Sequence, residues 1–164
     1  MCTLVGAFPG ATPVLIGYVA AAGKLNSPAW LFYAILFLWQ FPHFMAIAWM
    51  YRQDYARAGY AVLPRGTEKA TFMGWQSVLP SVALLSVTVA PLVLRHASQV
   101  VTGGTLLLSL SFLYFAGRLA VVRSNAAARR LLLASIIYLP SVFVLEVFTR
   151  LLGRITIEIK YNIY

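Results

Sequence analysis

Five apolar runs of roughly twenty residues punctuate this chain, at positions 4–22, 29–51, 72–94, 100–122 and 131–152. A helix rises about 1.5 Å per residue, so about 20 residues cross the ~30 Å hydrocarbon core of a bilayer. Inside lipid every backbone N–H and C=O must be satisfied within its segment or in a closed barrel, and the period-2 pattern of barrel strands is absent from these runs. The chain therefore reads as all-α, a polytopic transmembrane helical bundle of about five spans. Composition agrees: 10% of the 164 residues are charged, against about 25% in a soluble domain. A membrane domain is expected over 1–153. The tail 154–164 alternates apolar and polar residues with a strand-like period and has no assigned role.

The net charge of +9 does not make a nucleic-acid surface, because the basic residues form no continuous face. They fall on alternate connections instead. Arg52, Arg57, Arg65 and Lys69 follow the second run, and Arg118, Arg123, Arg129 and Arg130 follow the fourth, whereas the opposite connections offer Lys24 and Arg95. By the positive-inside rule the Asp54 segment and the 118–130 connection face the cytoplasm, in a bacterial inner-membrane setting. Arg150, Arg154 and Lys160 on the far side run against that bias. The one cysteine, Cys2, excludes an internal disulfide.

Polar groups inside a span are costly, about 2.5–3.5 kcal/mol for a charge at its centre, so each requires a reason. The second run carries Gln40, Pro42 and His43, then opens into a short segment holding the only aspartate, Asp54. His43 and Asp54 are eleven residues apart, which at about 100° per residue returns within about 20° of one direction. If the helix persists past Tyr51, Gln40 and His43 lie at depth on the face that carries Asp54 about 16 Å nearer the cytoplasm. Two readings stand for each residue. Gln40 and His43 make interhelical hydrogen bonds or face a pocket. Asp54 pairs with an arginine in solvent, or supplies a hard oxygen to Mg²⁺ while neighbouring arginines contact a diphosphate. Glu146 is expected to pair with Arg150 four residues on, near the membrane edge. Pro9, Gly10, Pro13 and Gly17 predict a kinked first span packed closely on a neighbour.

Trp39-Gln40-Phe41-Pro42-His43-Phe44, joined to Tyr51-Arg52-Gln53-Asp54-Tyr55-Ala56-Arg57-Ala58-Gly59-Tyr60 and Leu63-Pro64, resembles the C-terminal half of the protohaem IX farnesyltransferases (haem O synthases). These belong to the UbiA superfamily of intramembrane prenyltransferases. Residues 5–18 and Ser135-Ile136-Ile137-Tyr138-Leu139-Pro140 extend the resemblance along nearly the whole chain. Ala58 stands where other superfamily members complete a D-x-x-x-D motif. The resemblance implies a partial UbiA-type fold around a central cavity. It also implies transfer of a farnesyl group from farnesyl diphosphate to a vinyl group of protohaem IX with Mg²⁺ help, serving haem A and cytochrome oxidase biogenesis. It places Asp54 in the metal and diphosphate motif with Arg52 and Tyr55 beside it. His43, Gln40, Arg57 and Arg118 would bind substrate. The family's first acidic motif has no counterpart here. The chain alone is therefore expected to be inactive, with a missing N-terminal half or a haem A synthase as protein partner beside the lipid bilayer. Two other classes compete: a membrane transporter fragment, which would line a path with polar residues on several helices, and a non-catalytic assembly subunit.

Overall fold

A computed structural model describes the backbone of residues 2–64, 68–94 and 99–162, and the side chains of 4–64, 71–89, 92, 99 and 101–148. Helices occupy Cys2–Ala22 (α1), Ser27–Met50 (α2), Arg52–Arg57 (α3), Glu68–Leu94 (α4), Gln99–Val122 (α5) and Asn125–Asn162 (α6). Five of them carry segments long and apolar enough to span a bilayer: Leu4–Ala22, Ser27–Met50, Thr71–Val89, Val101–Val122 and Asn125–Phe148. This is a multi-pass membrane protein. The expected side chains of Arg65, Lys69, Arg95, Arg150, Arg154 and Lys160 lie outside the described residues.

The bundle is organised around α2. It packs against α1, α4 and α6, while α4 packs on α5 and α5 on α6, so α2, α4, α5 and α6 close a ring with α1 docked outside it. A helix that is apolar all round belongs in a core. Accordingly 44% of the α2 span is buried, against 11% of the α1 span. The interior of the ring is filled, with Ile35, Met45, Trp49, Met73, Leu84, Phe112, Leu119, Leu131, Tyr138 and Val142 in one cluster. This cluster lies among the four helices, and of the residues just named Met45 alone also lines one of the cavities described below. The described openings lie at the end of the bundle and along its flanks.

In α4, α5 and α6, Thr88, Ser109 and Tyr138 join helices, whereas other hydroxyls bond back within their own helix. Thr88 Oγ1 meets Ser109 Oγ at 3.1 Å, and Ser109 Oγ meets Tyr138 Oη at 3.1 Å, all three buried. Tyr138 also stacks on Phe112, with ring centroids 4.8 Å apart. Ser81 donates back to the Ser77 carbonyl at 2.7 Å. Such bonds are worth about 0.6 kcal/mol each in a membrane bundle, and they weaken the transporter reading.

Two readings need adjustment. The tail, read as an unassigned segment with no partner for its strand-like alternation, continues α6 as helix to Asn162. A preformed helix adds one bond per residue, whereas a lone strand finds no partner among the described residues. The fifth span begins at Asn125, not 131, because Ser124 Oγ accepts from the Ala127 N–H at 3.1 Å and caps the helix there. Arg129 and Arg130 therefore ride on α6 and not in a loop. The expected Glu146–Arg150 pair falls partly outside the described residues: Glu146 is 1% exposed, and the Arg150 side chain is not among those described.

Candidate functional site

The Asp54 motif is shaped by a helix that stops and restarts. Tyr51 leaves the helical region with φ −99° and ψ 17°, ending α2 before α3 begins at Arg52. α3 then closes in a Schellman motif. The Tyr60 N–H reaches the Tyr55 carbonyl at 2.8 Å, the Gly59 N–H reaches that of Ala56 at 3.2 Å, and Gly59 takes φ 80°. Only glycine adopts that φ without penalty, which gives Ala58-Gly59-Tyr60 its local reason. The chain folds back through 60–64 and encloses a cavity of about 350 Å³, walled by Arg52, Tyr55, Tyr60, Leu63 and Pro64 over Ala48. A second, more apolar cavity of about 250 Å³ runs beside it, lined by Gly6, Phe44, Met45 and Ile47. Ala48, Tyr55 and Val62 line both, so a polar mouth adjoins an apolar groove between α1 and α2.

Arg52 holds this mouth to the rest of the bundle. Its Nη1 donates to the Trp49 carbonyl and to Asn125 Oδ1, each at 2.7 Å, and its guanidinium lies 4.6 Å from the Trp49 ring centroid. It thereby caps the end of α2 and ties it to the start of α6, which places both basic connections at one end of the molecule. Five N–H donors are available to a guanidinium. Those on Nε and Nη2 remain for a ligand in the cavity.

The other expected residues are not brought to that mouth. Asp54 and Arg57 pair with each other on the outer side of α3, 61% and 76% exposed, so the stripe extrapolated through Tyr51 does not exist. Gln40 is 5% exposed and faces α1. Its Nε2 donates to the Ala7 carbonyl at 3.3 Å and to that of Leu36 at 3.2 Å, and its Oε1 lies against Gly10, where a Cβ would overlap it. Ala7 and Ala11 are fully buried, so the first span packs closely at Gly10 as predicted, while Gly17 faces open space. His43 turns to α6, where its Nδ1 lies 2.8 Å from Ser135 Oγ and its ring stacks on Trp39 at 4.3 Å. Ser135 Oγ donates its one proton to the Leu132 carbonyl at 2.6 Å, so it must accept from His43 Nδ1–H. A neutral ring held this way keeps its lone pair on Nε2. Trp39 Nε1 donates to the Ser135 carbonyl at 2.9 Å and fixes the same contact. Arg118 lies in a separate cavity between α5 and α6.

Asn125 as the partner of Arg52, Ser135 as that of His43, and Tyr60 as a wall of the mouth were not legible as such from spacing. The Gly59 signal was present in the sequence, and its turn is what brings Tyr60 round. One carboxylate suits Mg²⁺ as a single ligand, because the ion takes one or two carboxylates with phosphate oxygens. Asp54, beside Tyr55 in sequence but on the outer side of α3, is occupied by Arg57 in this arrangement. No group of three His, Cys, Asp or Glu side chains gathers among the described residues, so a closed protein cage is not formed there.

The UbiA prenyltransferase family matches residues 1–143. Among curated relatives, a protoheme IX farnesyltransferase of Solibacter usitatus is 45% identical over 148 residues, covering 90% of this chain and 51% of the relative. One of Koribacter versatilis is 40% identical over 157 residues, covering 92% and 51%. One of Flavobacterium johnsoniae is 38% identical over 158 residues, covering 92% and 52%. The chain spans about half the length of the curated relatives it matches. No solved structure matches it. With a family match over most of its length and five helices long and apolar enough to span a membrane, the chain belongs to the UbiA prenyltransferase family.

Proposed function

We propose that this chain forms the prenyl-diphosphate end of a protohaem IX farnesyltransferase, carrying farnesyl from its diphosphate to a vinyl group of protohaem to give haem O. The observation that carries the reading is the continuity of a mouth bearing Arg52, Tyr55 and Tyr60 with an apolar groove along Phe44, Met45 and Ile47. A prenyl diphosphate has the same division, an anionic head on a long apolar chain. Arg52 and the two tyrosine hydroxyls would hold the head, while the groove keeps water from the allylic carbon as its C–O bond breaks. Asp54, released from Arg57, would give Mg²⁺ one oxygen, and the bound ion would neutralise charge on the departing diphosphate. His43, fixed by Ser135, presents Nε2 as a lone-pair donor toward protohaem. Gln40 supports the groove from behind by holding α1 to α2. The mouth faces the cytoplasm across the inner membrane, in keeping with its arginines.

The test is haem O formation in membranes where this chain is produced together with the first half of the Solibacter usitatus relative. Farnesyl diphosphate and protohaem IX are supplied, and haem O is read by mass. Incorporation is expected, with Asp54→Asn lowering the rate roughly a hundredfold, as losses of charge stabilisation do. An Asp54→Asn rate equal to the parent would overturn the assignment.

A further inference from the structure

A cavity of about 150 Å³ opens between the last turns of α5 and the first turns of α6, lined by Tyr114, Phe115, Arg118, Ser124, Ala127 and Arg130. It shares no lining residue with the Arg52 mouth. No carboxylate among the described residues pairs with Arg118 or Arg130. Ser124 Oγ accepts from the Ala127 N–H, which leaves its hydroxyl proton free to donate into the cavity. Both arginines lie inside the apolar spans Val101–Val122 and Asn125–Phe148, about one turn from their ends. From such a position a long arginine stem reaches up toward the headgroup level at the end of the span.

An exposed apolar track leads away from each guanidinium. On α5, Leu107, Leu110 and Tyr114 recur at helical spacing below Arg118, all exposed; on α6, Leu133 and Ile137 do the same below Arg130. Arginine stems commonly run along apolar surface with the charge turned to the interface. Here two such charges converge on one hollow with hydroxyl donors beside them, and greasy flanks descend from it. We propose that this cavity binds the phosphate of an anionic phospholipid, with the acyl chains lying along the α5 and α6 tracks. The site is independent of the prenyl-transfer reading.

The full chain is reconstituted with phosphatidylglycerol or with phosphatidylcholine, released from detergent, and its retained lipid is counted by native mass spectrometry. Retention of phosphatidylglycerol over phosphatidylcholine is expected, undisturbed by millimolar inorganic phosphate. A basic group near the surface contributes about fivefold to anionic-lipid affinity, so Arg118→Gln with Arg130→Gln should cut retention about thirtyfold and Arg118→Gln alone about fivefold. Arg129→Gln, exposed on α6 but outside the cavity, should leave it unchanged. Equal loss in Arg129→Gln would reduce the effect to diffuse surface charge. Displacement by inorganic phosphate, or no preferential retention at all, would equally overturn the proposal.

Discussion

Replacing Gly10 by alanine should destabilise the bundle by an amount that depends on Gln40. The added Cβ overlaps Gln40 Oε1, and the amide is held by Nε2 bonds to the Ala7 and Leu36 carbonyls. Gln40 must swing away and give up those bonds, each worth about 0.6 kcal/mol in a membrane bundle. Crowding in a packed contact adds about 1–3 kcal/mol. Against this stands the better helix propensity of alanine, about 0.8–1 kcal/mol. The net cost is about 2 kcal/mol. In a Gln40→Ala background neither the overlap nor the bonds exist, so Gly10→Ala should be neutral or stabilising by up to about 1 kcal/mol. A double-mutant cycle read by unfolding in mixed micelles thus carries a coupling energy of about 2–3 kcal/mol. Equal effects of Gly10→Ala in both backgrounds would falsify the contact between Gly10 and Gln40.

Asn125→Ala removes one of the two acceptors of Arg52 Nη1. This should cost about 1 kcal/mol, since the bond is exposed and weaker than a buried charged one; an unchanged unfolding midpoint would argue against the α2–α6 tie. Tyr138→Phe deletes the link to Ser109 while Thr88 still serves that hydroxyl. A loss of about 0.6 kcal/mol is expected in the same unfolding titration, and a cost above about 2 kcal/mol would mean the hydroxyl does more than join helices.

The spans were legible because length and apolarity alone decide what crosses a bilayer. The close approach of the first span to its neighbour was legible at Gly10, while Gly17, read the same way, has open space around it. Other features depended on neighbours that a one-dimensional pattern does not hold. A 100° rotation per residue places Asp54 over His43 only in an unbroken helix, and the break at Tyr51 turns the carboxylate to the outer side of α3. Gln40 and His43 differ by three residues, which sends one to α1 and the other to α6; spacing gives the angle between them but not which helix lies in each direction. The 154–164 alternation fits a strand only when a partner strand exists, and continuation of α6 needed none. Arg118 belongs to the same basic end as Arg52, as charge indicates, yet the filled ring of α2, α4, α5 and α6 separates their cavities.

A diphosphate carrying a photoreactive group at the far end of its prenyl chain tests the joined mouth and groove most directly. After irradiation and digestion, label is expected on the peptide containing Phe44, Met45 and Ile47, and should disappear when unlabelled farnesyl diphosphate is added or Arg52 is replaced by alanine. Label on the apolar flank of α4 at Gly74, Trp75 and Val78, or label on 44–48 that farnesyl diphosphate does not compete away, would contradict a prenyl-diphosphate site between α1 and α2.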